Sequence, residues 1–102
     1  MTDLVRVCKL NEIEDGKINS FDVEGVPIFI VRIGNKLIAR SRICTHQTFD
    51  LSQGIYSDGF LTCPLHASTF EVETGEALNP PAKEPLDEYP VLIKGDEVFI
   101  EI

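Results

Sequence analysis

The sequence predicts an all-β, antiparallel domain of short strands. Short runs rich in Val, Ile, Phe and Thr recur along the whole chain. Between them stand the turn pairs Glu24-Gly25, Gly34-Asn35, Asp58-Gly59, Thr74-Gly75 and Gly95-Asp96. No stretch keeps apolar residues at a helical period.

Leu4 to Cys8 is a first strand whose buried face is ambiguous: Leu4, Arg6 and Cys8 share one side, Val5 and Val7 the other. Asn11 is placed to cap a single helical turn, with Glu12 and Glu14 at its positive end and Gly16 closing it. Lys17 to Val23 is the next strand. Ile28 to Ile33 is almost wholly apolar, as a strand covered on both faces is. Lys36 to Arg40 returns after Gly34-Asn35. Gly54-Ile55-Tyr56 and Phe60-Leu61-Thr62 flank Asp58-Gly59, and Thr69 to Val72 precedes Thr74-Gly75. The segment 47–52, ahead of Gly54, is loop or a helical turn. Asn79 to Pro85 holds three of the six prolines and is a rigid loop, because proline cannot donate to a central ladder. Val91-Leu92-Ile93 and Val98-Phe99-Ile100 form a final hairpin.

With 102 residues and 43% apolar content, the chain is expected to fold as one domain, 1–102, burying roughly 65% of its unfolded surface. Lys+Arg 9 against Asp+Glu 17 gives a net charge of −8. This balance excludes a phosphate-binding surface, hence nucleic acid. It suits steering toward a basic protein partner, or simple solubility. The longest apolar run, Val26 to Val31, is too short for a membrane span, and the amino terminus lacks a signal-peptide pattern. A cytoplasmic protein is expected. Cys8, outside the cluster described next, reads as a small buried apolar residue in a reducing compartment.

The chemistry lies in Cys44-Thr45-His46 and Cys63-Pro64-Leu65-His66. Both histidines and two of the three cysteines of the chain fall in these two clusters. Two thiolates and two imidazoles make a metal-ligand set, and each cluster follows a strand.

The pattern C-x-H, sixteen residues, C-x-x-H resembles the Rieske motif. In that family two cysteines hold one iron of a 2Fe-2S cluster and two histidines hold the other. The resemblance implies an antiparallel β-sandwich with an inserted cluster-binding lobe made of two loops. The base would comprise about 1–42 and 81–102, and the lobe about 43–80. It implies one 2Fe-2S cluster per chain on Cys44, His46, Cys63 and His66, with the histidines at the tip and the cysteines beneath. Pro80 and Pro81 resemble the third loop that covers the cluster. Around the ligands it singles out Gln47, Leu65, Ser68 and Phe70. High-potential members tie the two loops with a disulfide; Leu65 and the Gln47-Thr48-Phe49 stretch leave no cysteine for one. Those members also follow the second histidine with Gly-Ser-x-Tyr, whose two hydroxyls donate toward sulfur. This chain has Ala67-Ser68-Thr69-Phe70, which keeps one donor and loses the other. No Lys or Arg stands between Ile43 and Ala82, whereas five carboxylates do. The expected potential is intermediate in the family range of about −150 to +300 mV.

The resemblance implies a one-electron carrier, and two other classes of protein use the same residue types. A structural zinc site would use the same residue types, but zinc fingers pair Cys with Cys and His with His. An oxygenase needs a separate iron with two further histidines, which the chain lacks. An enzyme is therefore not expected. Among carriers, one role is a soluble monomeric ferredoxin between a flavin reductase and a terminal oxygenase. The other is a small subunit of a larger reductase such as an assimilatory nitrite reductase.

Overall fold

The computed structural model describes residues 3–45, 49–64, 68–79 and 84–102. Among the described residues ten strands follow in order: β1 (Leu4–Lys9), β2 (Asn19–Val23), β3 (Val26–Ile33), β4 (Lys36–Ser41), β5 (Ile55–Ser57), β6 (Phe60–Cys63), β7 (Ser68–Glu71), β8 (Glu88–Tyr89), β9 (Val91–Lys94) and β10 (Glu97–Glu101). They form three antiparallel sheets, β1-β10-β9, β2-β3-β4-β8 and β5-β6-β7. The all-β expectation holds, and the hairpins at Glu24-Gly25, Gly34-Asn35, Asp58-Gly59 and Gly95-Asp96 are present; Thr74-Gly75 instead leads to a single bridge, Phe70 to Ala77.

The ambiguous face of β1 is resolved by a bulge. Val5 lies opposite Ile100 and Arg6 opposite Phe99, but Cys8 lies opposite Val98, so Val7 is the extra residue. The bulge lets Val5 and Cys8, three apart, face the same way. Cys8 is buried, and burial pushes its thiol pKa up, as expected of an inert apolar cysteine. The helical turn begins two residues earlier than a cap at Asn11 predicts. It is a 3-10 turn over Leu10–Glu12, and the Glu12 carboxylate reaches back to accept from Lys9 N at 2.9 Å. Glu14 lies beyond it, where its N–H is taken by the Asn19 side chain.

Asn19 also explains why β2 begins two residues later than Lys17. Its buried amide donates to the carbonyls of Glu14, Lys17 and Ile30. Those bonds hold the chain in a turn until the ladder can start.

β3 is covered on both faces, as its composition predicts. Phe29 and Val31 enter one core with Ile38, Cys44, Leu51, Leu61, Cys63, Phe70, Val72 and Leu86. Ile28 and Ile30 enter the other with Cys8, Ile13, Val23, Leu37, Ala39, Val98 and Ile100. β4 alternates in the same way, Leu37 and Ala39 into one core and Ile38 into the other. Strands β3 and β4 are therefore the shared wall between two cores.

The two-residue β8, paired to β4 through Ala39–Tyr89 and Arg40–Glu88, is an element the sequence does not announce. Glu24 and Asp58 adopt positive φ, 50° and 49°, each followed by a glycine that does the same. Two successive left-handed residues give the tight reversal that matches strand twist.

Candidate metal centre

Cys44 and Cys63 occupy equivalent places. The Cys44 N–H donates to Phe49 O at 3.0 Å, closing the first connection five residues on. Cys63 is paired with Ser68, closing the second connection at the same interval. His46 stands within the first connection and His66 within the second. Both histidines lie outside the described residues, as do Gln47, Leu65, Pro80 and Pro81.

The first connection is braced by the two residues after β4. Ile43 bridges Asp50, and Leu51 N donates to Arg42 O at 2.7 Å. The 3-10 turn Leu51–Gln53 follows, capped by Asp50, whose carboxylate accepts from Ser52 N at 2.9 Å. This is the helical turn expected in the longer arm. Gly54 ends it at a close approach that excludes any side chain, since a Cβ there would lie 2.7 Å from Thr62 O. Arg42 then ties this loop to the base. Its Nε lies 3.0 Å from an Asp50 oxygen, its Nη2 3.0 Å from Asp22 Oδ1, and its Nη1 donates to Phe21 O at 3.0 Å. Burial pushes the Asp50 carboxyl up, but the Ser52 bonds and the Arg42 charge outweigh it and hold it below the ordinary carboxylate value.

The second connection joins β6 to β7. The two strands pair Leu61 with Phe70, Thr62 with Thr69 and Cys63 with Ser68. Direct partners project to one face, so Ser68 stands beside Cys63, and both are fully buried. Phe70 is buried in the same core, where its ring packs and offers no donor. Thr62 and Thr69 hydroxyls meet at 3.2 Å on the other face.

The proline stretch leaves from one loop and arrives at the other. Before it, Phe70 bridges Ala77, Leu78 N donates to Thr69 O, and Asn79 Oδ1 accepts from Thr69 N at 2.6 Å. After it, Thr45 Oγ1 donates to Glu84 O at 2.9 Å and Leu86 N to Gly75 O at 2.9 Å. Asn79 is thus tied to β7 and Glu84 to the threonine of the first connection.

The chemistry of the donor set fits an iron–sulfur centre. Cys44 is 4% exposed and Cys63 0%, they share one core, and neither is in a disulfide. A buried thiolate without compensation is costly, and a metal supplies that compensation. Among the described residues, no group of three or more His, Cys, Asp or Glu comes together.

Sequence reasoning missed Arg40 and Arg42. The absence of Lys and Arg between Ile43 and Ala82 suggests a lobe without cations, yet Arg40 on β4 and Arg42 just after it bring two guanidinium groups to it. Arg40 is 3% exposed and donates to the carbonyls of Val72, Leu86 and Glu73 at 2.6, 3.2 and 2.8 Å.

Three comparisons bear on this arrangement. The 3-phenylpropionate/cinnamic acid dioxygenase ferredoxin subunit of Escherichia coli (strain K12) is 32% identical over 99 residues, 96% of this chain and 92% of that one. The solved ferredoxin of carbazole 1,9a-dioxygenase from Nocardioides aromaticivorans IC177 superposes with a TM-score of 0.85 at 32% identity, covering 95% of each chain. A complex of reduced oxygenase and oxidized ferredoxin in carbazole 1,9a-dioxygenase contains a similar chain, with a TM-score of 0.85 at 30% identity, covering 95% of this chain and 91% of that one. Residues 3–90 match the Rieske [2Fe-2S] domain, and with paired cysteines on two equal connections the chain belongs to that family.

Proposed function

We propose that this chain is a one-electron carrier of the Rieske ferredoxin type, passing electrons from a reductase to a terminal oxygenase. The observation that carries the reading is the matched burial of Cys44 and Cys63 at the mouths of two connections that each contain one histidine. When bound, a 2Fe-2S cluster supplies a reversible one-electron couple.

The chain's own residues set the conditions for that couple. Cys44 and Cys63 would hold one iron as thiolates from the buried side, and His46 and His66 the other from the outer side. Phe70, Leu51 and Leu61 keep water from the sulfurs. The Ser68 hydroxyl stands where it can donate to sulfur of the Cys63 side, withdrawing electron density and raising the potential. The segment 80–83, Pro80 and Pro81 included, would roof the centre, since it is strung between Asn79 and Glu84. One lobe, about 43–80, on a base of about 1–42 and 81–102 describes this division of labour.

The acceptor is inferred from kinship. Relatives are named as dioxygenase ferredoxin subunits, and one is seen with its oxygenase. A net charge of −8 suits a flavin reductase donor and an oxygenase acceptor that each present basic residues. Among the described residues no helix is long and apolar enough to cross a membrane. We place the carrier in the cytoplasm as a monomer.

The test is visible absorption and low-temperature EPR before and after dithionite, with iron, zinc and acid-labile sulfide assays. Two irons and two sulfides per chain, with an EPR signal on reduction and a low average g, are expected. A colourless protein with stoichiometric zinc and no iron uptake on reconstitution would overturn the reading.

A further inference from the structure

We infer that Arg40 is the positioning residue that sets the end of β7 and the chain at Leu86 against the strand that leads to Cys44. The inference rests on the cluster reading above and adds a residue to it.

Arg40 lies four positions before Cys44 and pairs across β3 with Phe29, so it points into the core that holds both cysteines. All three of its nitrogens donate, and all three acceptors are main-chain carbonyls. Nε reaches Val72 O, Nη2 reaches Glu73 O and Nη1 reaches Leu86 O. Val72 and Glu73 directly follow β7, the strand that opens with Ser68 opposite Cys63. Leu86 is where the chain returns from the proline stretch. One side chain therefore fixes the end of β7 and the chain at Leu86 relative to the strand that leads to Cys44.

The site is built around this guanidinium. Gly75 has φ +79°, and a Cβ there would sit 2.6 Å from Arg40 Nη1, 2.8 Å from its Cζ and 2.9 Å from Leu86 O. The Glu73 carboxylate is turned away to Lys36 at 2.6 Å, leaving its carbonyl to Arg40. Lysine cannot replace this fork, because an ammonium lacks the planar geometry that reaches three fixed carbonyls. The role needs the donors as well as the charge.

The experiment uses the holoprotein and the variants Arg40→Lys, Arg40→Met, Gly75→Ala and the double variant Arg40→Met/Gly75→Ala. It reads iron and sulfide per chain, the EPR g values, the midpoint potential, and the rate of bleaching by EDTA. Arg40→Met and Gly75→Ala should each bleach at least about tenfold faster, the equivalent of losing roughly one charge-assisted hydrogen bond. Both should shift the g values. Arg40→Met should also lower the potential, since a buried positive charge favours the reduced state. Arg40→Lys should restore the potential but not the bleaching rate. The double variant should bleach no faster than the faster single one, because both break one clamp. Variants that bleach at the wild-type rate with unchanged g values would overturn the inference. If Arg40→Met does not fold and Gly75→Ala behaves as wild type, Arg40 serves the fold alone and the inference likewise falls. Wild-type protein without iron and sulfide would instead defeat the carrier reading itself.

Discussion

The base and the cluster-bearing part of this protein are held together by different physics. The base core is aliphatic: Ile28, Ile30, Leu37, Val98 and Ile100 pack between two sheets, and its buried polar residue Asn19 is bonded to three carbonyls. Its strands run five to eight residues in β2 and β3. The other part has strands of three to four residues in β5, β6 and β7. It is secured by cross-ties, with Arg42 to Asp50 and Asp22, Arg40 to three carbonyls, Thr45 to Glu84 and Thr69 to Asn79. Short strands bury little surface, so placement there depends on directional bonds and, in the reading above, on metal ligation. The difference teaches that the site is fixed by bonds that specify geometry and the base by area that supplies stability.

The sharpest way to break the comparison is to remove a ligand. Cys63→Ala should abolish the visible spectrum. It should also strip hydrogen-exchange protection from β5–β7 while leaving β2–β4 protected. Equal loss in both regions would show that the two are one cooperative unit. A base variant should do the reverse. Ile30→Ala removes a fully buried side chain and should cost about 2–4 kcal/mol in urea unfolding, with the potential unchanged.

Ser68→Ala is subtler. The loss of one hydrogen bond of about 1 kcal/mol corresponds to roughly 40 mV for a one-electron couple, in the negative direction. Protein-film voltammetry would read it, and a potential that does not move would remove the proposed bond.

The smallest effect concerns acid. Asp50 has its folded pKa depressed, so its contribution is present above the unfolded value of about 3.9 and is lost as pH falls through the lower folded value. Its side chain is 37% exposed, so screening keeps the term well under about 1 kcal/mol. Asp50→Asn should flatten that part of an acid-unfolding curve and leave neutral stability nearly intact.

Much of this was legible in the chain. The hairpins are readable because turns needing positive φ select glycine, as at Gly25, Gly34, Gly59 and Gly95. The candidate ligand cysteines are readable because a thiolate donor must be cysteine. The bulge at Val7 was not, because it is defined by what stands opposite, Val98 and Phe99, ninety residues away. β8 was not, because two residues between Pro85 and Pro90 carry no periodicity. The Arg40 clamp was not, because its acceptors are carbonyls of Val72, Glu73 and Leu86, and every residue has a carbonyl. Asn11 misled because an asparagine within a turn looks like one at its cap; Glu12 made the bond from the other side.

The terminal pairing has a consequence for biosynthesis. Asp3 and Ile102 exchange both backbone hydrogen bonds, and β1 lies along β10 from Leu4–Glu101 to Lys9–Glu97. β1 is made early and its partner β10 comes about ninety residues later, whereas β5, β6 and β7 find their partners within Ile55–Glu71. Those local hairpins can form before the base closes, which is slow and non-local. A released chain ending at Gly95 should therefore keep the β5–β7 pairing while β1 has lost the strand it pairs with.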